Sequence, residues 1–324
     1  MNENKVSKFL KDNAIWAVFA ILCVLFAITT GGKFLKFNNI MMLLRQVSMY
    51  GIASIGMTFV ILLGDIDLAA GSVISFVNII CAYMMLYWRL PFVLAIIITL
   101  AIATLVGLLN GIMVAKIGIP ALIATFATQT AFAGLSLIIC EGKPISGFTN
   151  AADGYSEAFK VIGQGWVGKV PVPVIIMALC FLLGWFILDK TYFGRYFYAV
   201  GGNIEAAKLS GIRTDRVKLL VFSLSGFFAG LAGIVLLSRT NSAQATAGLG
   251  WEFKVITCVV LGGVSVSGGF GRISGVIAGT FIIGALQNGM VLMNLNSWIQ
   301  DIALGIVLAV AVAIDCVSKK KQAH

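Results

Sequence analysis

Pro91-Phe92-Val93-Leu94-Ala95-Ile96-Ile97-Ile98-Thr99-Leu100-Ala101-Ile102-Ala103-Thr104-Leu105-Val106-Gly107-Leu108-Leu109-Asn110-Gly111-Ile112-Met113-Val114-Ala115 runs for 25 residues without a charge. A helix that is apolar all round has no face to offer to water, and about 20 such residues cross the roughly 30 Å hydrocarbon core of a bilayer. Nine more apolar runs lie near 14–30, 46–63, 70–88, 119–140, 172–188, 218–238, 252–267, 273–293 and 297–316. The pattern predicts an all-α polytopic membrane protein with about ten transmembrane helices in one integral domain, 14–316. Composition agrees: 60% of the 324 residues are hydrophobic and 11% charged, against about a quarter charged in soluble domains.

The formal net charge is +10, but the cations sit at the ends of apolar runs and form no basic stripe interleaved with aromatics, so nucleic acid is not the expected partner. With a cytoplasmic N-terminus, the largest cluster (Lys190, Arg195, Lys208, Arg213, Arg216) falls in a cytoplasmic loop at about 189–217. Residues 1–13 and 317–324 are then cytoplasmic too, as the positive-inside rule requires. Loop 141–171 is external and broken by Gly and Pro, with at most a short helix around Tyr155 to Val161. The first run, Ala14 to Thr30, is long for a signal sequence and lacks an A-x-A site, so it is expected to stay as a span. Six tryptophans near run ends or in adjoining loops fit an interfacial belt. Six cysteines without CxxC spacing read as packing residues, and the single histidine, His324, cannot build an internal catalytic or zinc site. No enzyme is expected.

Small-residue pairs at Gly107/Gly111, Gly226/Gly230 and Gly275/Gly279 predict close helix packing, which in lipid has no hydrophobic drive of its own. Asn78, Asn110, Gln129, Gln287 and Asn288 lie inside apolar runs, where amides hydrogen-bond between helices. Leu63-Gly64-Asp65-Ile66-Asp67-Leu68-Ala69-Ala70-Gly71 aligns with Leu261-Gly262-Gly263-Val264-Ser265-Val266-Ser267-Gly268-Gly269. Three identities are few, but a repeat would mean two halves around a central path.

Within the cytoplasmic loop, Asn203 suits an N-cap, Glu205 the positive helix end, Lys208 the negative end and Gly211 a C′ stop. A helix of about seven residues is marginal alone and must dock on something. It is either a surface helix of an ordinary loop or a contact inserted into a partner. Asp67 is likewise open to two readings, since an intramembrane carboxylate needs a partner or a wet cavity: it shapes or lines a path, or it caps the helix opening at Leu68. Glu252 shares that ambiguity.

Four ordered motifs resemble one family. Gly201-Gly202-Asn203-x-Glu205-Ala206-Ala207-x-x-Ser210-Gly211-Ile212, Gly56-Met57-Thr58 with Ile66-Asp67-Leu68-x-x-Gly71-Ser72, Ser242-Ala243-Gln244-x-Thr246-Ala247-Gly248, and Leu261-Gly262-Gly263-x-Ser265-x-x-Gly268-Gly269-x-Gly271 are similar to the ribose/xylose/galactose-type permeases of bacterial ATP-binding-cassette importers. The similarity runs from about 38 to 316. It implies an inner-membrane permease, paired with a second permease copy and served by an ABC ATPase subunit and an extracytoplasmic sugar-binding protein. ATP and Mg would be used by that ATPase and no cofactor bound by this chain, which lacks a GxxxxGK[ST] loop. The resemblance places Gly202, Asn203, Glu205, Ala206, Ala207, Lys208 and Gly211 at the ATPase contact; Asp67, Ser72, Gln244 and Glu252 are, by residue type and position, the candidates for the translocation path. Asp65 for the usual Gly, Ala69-Ala70 for Ser-Val, and Lys254 for an acidic or amide residue depart from the pattern. They leave the cargo open: a monosaccharide such as ribose, or a furanosyl signalling molecule, a nucleoside or a branched-chain amino acid. A stand-alone secondary transporter is the rival mechanism.

Overall fold

The computed structural model describes residues 14–146 and 157–322. The expected N-terminal segment 1–13, residues 147–156 of the 141–171 loop, and His324 lie outside the described residues. The helices are α1 (Ala14–Thr29), α2 (Phe37–Leu62), α3 (Ala70–Leu86), α4 (Phe92–Ile112), α5 (Ala121–Ile139), α6 (Glu157–Gln164), α7 (Val172–Trp185), α8 (Tyr192–Gly202), α9 (Ile204–Leu209), α10 (Thr214–Thr240), α11 (Trp251–Leu261), α12 (Ile273–Leu292) and α13 (Ser297–Gln322). Single π turns extend α4 over Met113–Ile117 and α7 over Phe186–Lys190. The one addition to the all-α plan among the described residues is a small hairpin, β1 (Trp166–Val167) paired antiparallel with β2 (Val170–Pro171). The loop helix expected around 155–161 is described from Glu157 and runs on to Gln164, as α6, and most of the expected tail 317–324 continues α13.

Each of the ten apolar runs overlaps a helix, but they are not ten of a kind. Among the described residues, seven helices are long and apolar enough to cross a membrane, while α1 and α3 are shorter apolar helices. The run at 252–267 is the clear departure. Its helix, α11, has 11 residues, roughly 16 Å of rise, about half a bilayer core. It ends at Leu261 because Gly262 and Gly263 follow, and Gly263 takes a left-handed φ of +81° that stops a helix.

The bundle is built around α10, which packs along α4, α2 and α3. The expected glycine contacts explain how. A Cβ at Gly107 would overlap the Phe222 carbonyl, and one at Gly226 the Ala103 carbonyl, so α4 and α10 touch backbone to backbone. Gly275 and Gly279 let α12 approach Gly262 and Cys258 at the end of α11 in the same way. Burial separates centre from periphery: 67% of the apolar window of α2 and of α10 is enclosed, against 22% for α5 and 11% for α13. Inside α2, hydroxyls bond to their own helix, Ser54 to Gly51 O and Thr58 to Ser54 O, which answers these donors without a second helix.

The amides act largely as expected. Asn39 and Asn288 exchange two hydrogen bonds of 2.8 and 3.1 Å, Thr128 donates to Asn110 Oδ1, and Gln129 donates to Glu252 Oε1 at 2.8 Å. Gln287 differs, its Oε1 lying buried without a hydrogen-bond partner. Five tryptophans are exposed, whereas Trp251 is buried and packs on Tyr50 with ring centroids 4.6 Å apart.

Candidate functional site

The 202–211 segment forms the helix its capping residues specify, one residue shorter than expected. Asn203 sits in extended backbone, and its Oδ1 accepts from Ala206 N at 2.9 Å. Glu205 in the first turn pairs with Lys208 in the last at 2.9 Å, and Gly211 at φ +82° closes α9 after six residues. Ala207 is the buried contact, while the Glu205 side chain is exposed and Leu209 is 90% exposed. Gly202, Ala206 and Lys208 complete the predicted set around this exposed face.

Preceding it, α8 was not anticipated as a helix. Phe193, Phe197 and Val200 hold the i, i+4, i+7 spacing that could have revealed it, and Phe197 packs on Phe59 of α2 with centroids 5.6 Å apart. The last residues of α8 meet two other chain segments main chain to main chain. A Cβ at Gly201 would overlap the Leu62 carbonyl oxygen at the end of α2 and lie 2.7 Å from Gly269 N. Gly269 N itself donates to Leu62 O at 2.8 Å. Tyr198 donates its hydroxyl to Gly271 O at 2.8 Å. Burial pushes the Tyr198 phenol above its ordinary pKa, the Asp189 charge adds to this and Arg272 opposes it, so the proton it donates stays in place at neutral pH.

The two repeat segments therefore touch. Both are helix stops of the same construction, with a register one residue from the sequence alignment. After α2, Gly64 is left-handed (φ +79°) and Asp65 N donates to Val60 O; after α11, Gly263 is left-handed and Val264 N donates to Val259 O. Gly64 thus corresponds to Gly263, not Gly262.

The first break, 64–69, is tied to its neighbours through side chains. Asp67 is 2% exposed, and its Oδ1 accepts from Ala69 N at 2.9 Å while its Oδ2 accepts from Ser225 Oγ of α10 at 2.7 Å. That arrangement answers the carboxylate and turns the chain just before α3, without capping that helix, whose N-cap residue is Ala69 and not the Leu68 start the sequence suggests. Ser72, also buried, bonds back to Ala69 O at 2.9 Å. Asp65 forms an ion pair with Lys218 of α10 at 2.7 Å, and Leu68 N donates to Thr125 Oγ1 of α5 at 3.1 Å.

Gln244 and Glu252 lie in a different place. Beyond α10, residues 241–250 return along α3 without forming a helix. Ala243 bridges Ile145, Gln244 N donates to Asn78 Oδ1 at 3.0 Å, and Gly248 N donates to Ser75 Oγ at 2.8 Å. Gly248 packs against Gly71 in the first turn of α3, roughly 22 Å down that helix from Leu86. Non-helical backbone at such depth is tolerated only when buried in protein or lining a watery cavity. Here the backbone is answered by α3, while the Gln244 and Thr246 side chains and Leu249 are exposed. Glu252, at the start of α11, is buried behind them; its Oε1 accepts from Gln129 and its Oε2, which has no hydrogen-bond partner, lies against Gly71. The structure thus separates the four path candidates: Asp67 and Ser72 inside the first break, Glu252 enclosed beside α5, and Gln244 on an exposed wall.

Comparison with known proteins follows the same lines. The chain is 43% identical over 300 residues to the ribose import permease protein RbsC of Haemophilus influenzae, covering 92% of this chain and 91% of that one. It is 44% identical over 291 residues to RbsC of Bacillus subtilis, covering 90% and 88%. The xylose transport system permease protein XylH of Haemophilus influenzae is 33% identical over an alignment of 357 positions, covering 94% and 95%. No solved structure matches the chain. The family model described as branched-chain amino acid transport system / permease component matches residues 39–312, nearly the whole bundle, and the chain belongs to that family.

Proposed function

We infer that this chain is the transmembrane permease of an ATP-binding-cassette importer and carries ribose or a closely related monosaccharide across the bacterial inner membrane. Two copies form the path. A partner ATPase hydrolyses ATP with Mg, and an extracytoplasmic sugar-binding protein delivers the cargo. Both termini and α9 face the cytoplasm, and the chain crosses ten times, with 241–250 and α11 together making one crossing from a return segment and a half-helix. Similarity to ribose import permeases along nine-tenths of the chain supports the cargo class. The branched-chain amino acid in the family description is less apt, because the relatives reported above, which cover nine-tenths of the chain, are named for ribose and xylose.

The observation that carries the mechanism is α9: a six-residue helix, too short to persist alone, capped at both ends and presenting Glu205 and Leu209 outward. It docks in a groove of the ATPase. The path runs past the exposed side of 241–250, where Gln244 and Thr246 offer hydrogen bonds to sugar hydroxyls; Asp67, Ser72 and Glu252 shape that wall from behind.

Reversing one charge on the docking face tests this reading. Glu205→Lys should abolish co-purification of the ATPase and lower ATP-driven ribose uptake at least tenfold, with the permease still present in the membrane at its normal level. Retention of both the ATPase and the uptake would remove α9 from the contact, and uptake that responds to an ionophore but not to vanadate would point to a secondary carrier.

A further inference from the structure

Asp65 and Asp67 stand two residues apart in the irregular segment between α2 and α3, and both side chains reach α10. Their partners on α10, Lys218 and Ser225, stand seven residues apart, two helical turns, and share one face. The break is therefore stitched to α10 at two points, Asp65 to Lys218 and Asp67 to Ser225, each at 2.7 Å.

The two stitches differ in kind. That of Asp67 is sealed in the core, its other oxygen accepting from Ala69 N. That of Asp65 is an ion pair whose side chains are 15% and 17% exposed. Enclosure at that level limits screening by water without the full desolvation of a sealed pair, so the contact can hold and can open.

Its position in the chain of contacts gives it a task. Lys218 lies in the second turn of α10, and α10 follows α9 after a four-residue link in which Ile212 N donates back to Ala207 O at 3.0 Å. On the other side, the break is held to α5 through Leu68 N and Thr125 Oγ1. One turn further along α5, Gln129 reaches Glu252 at the start of α11. A displacement of α9 by its partner thus has one charged, openable contact between it and the half-helix behind the wall.

We propose that Asp65 and Lys218 are positioning residues for transport: their ion pair makes the foot of α10 carry the 64–69 break with it, tying solute movement to ATP hydrolysis. This rests on α9 being the ATPase contact. A contiguous set of contacts is not by itself coupling, so the test measures coupling directly.

The permease assembled with its ATPase and binding protein in liposomes is assayed for ATP hydrolysis and ribose uptake in the same vesicles. Asp65→Asn and Lys218→Met should each leave assembly intact and hydrolysis within about twofold of wild type, while uptake falls about tenfold, so that more ATP is hydrolysed per ribose. The exchange Asp65→Lys with Lys218→Asp should bring that ratio back to within about threefold of wild type. Single variants with an unchanged ratio overturn the proposal. So does loss of assembly or thermal stability in both single variants and in the exchange, which would make the pair structural only. Absence of ATP-driven ribose uptake by the wild-type assembly would instead sink the transport reading, leaving the ion pair without a role in it.

Discussion

The two helix breaks at the α9 end of the bundle share a stop signal and differ in how they are wired. After α2, the carboxylates belong to the break and reach outward, Asp65 to Lys218 and Asp67 to Ser225. After α11 the direction is reversed: Asp315 of α13 reaches in, its Oδ2 accepting from Ser265 Oγ at 2.9 Å and from Val266 N at 3.2 Å. In the first break Asp67 and Ala69 are buried and Gly64 is exposed; the second buries Val264 and Ser265 and leaves Gly263, Ser267 and Phe270 exposed. The same backbone device thus serves once as an internal joint bound to the central helix and once as a rim held by a peripheral one. What distinguishes the two is which helix answers the polar groups.

Three substitutions test that contrast, in descending order of effect. The most severe is Gly201→Val, because the added carbons would meet the Leu62 carbonyl and Gly269 N, both main chain and unable to step aside. It should separate the two breaks and destabilise the purified protein by about 3 kcal/mol, read from unfolding in detergent. An unchanged unfolding transition would mean that the three segments do not meet as described. Asp67→Leu comes next. It leaves Ala69 N and Ser225 without their acceptor in a closed site, a loss of about 2 kcal/mol by the same measurement. The mildest is Asp315→Ala, which leaves the buried Ser265 hydroxyl and the half-buried Val266 N without this one acceptor, beside an exposed Ser267, and should lower stability by about 1 kcal/mol. If Asp315→Ala proved more damaging than Asp67→Leu, the assignment of joint and rim would have to be exchanged.

Much of this was legible in the sequence. The apolar runs locate the helices because lipid imposes length and composition on any span, and the capping residues of α9 are local enough to read directly. The repeat was also visible, though its register slipped by one, since glycine-rich strings align equally well in neighbouring frames and only φ decides which glycine is left-handed. The half-length of α11 was not legible: Val264 and Val266 extend the apolar run past the point where Gly262 and Gly263 end the helix. Nor was the Asp65–Lys218 pair, whose members are 153 residues apart and which local spacing cannot bring together. Glu252 and Gln244 were recognisable by residue type, but which of them is walled in depends on how 241–250 folds back on α3.

That fold-back has a consequence for how such a chain can change its cargo. The return segment is fastened through main-chain N–H groups, Gln244 N to Asn78 and Gly248 N to Ser75, so the fastening does not depend on which side chains stand at 244 and 246. On the proposed path, mutation at 244 and 246 redraws the chemistry that faces the solute while the scaffold keeps the same main-chain bonds.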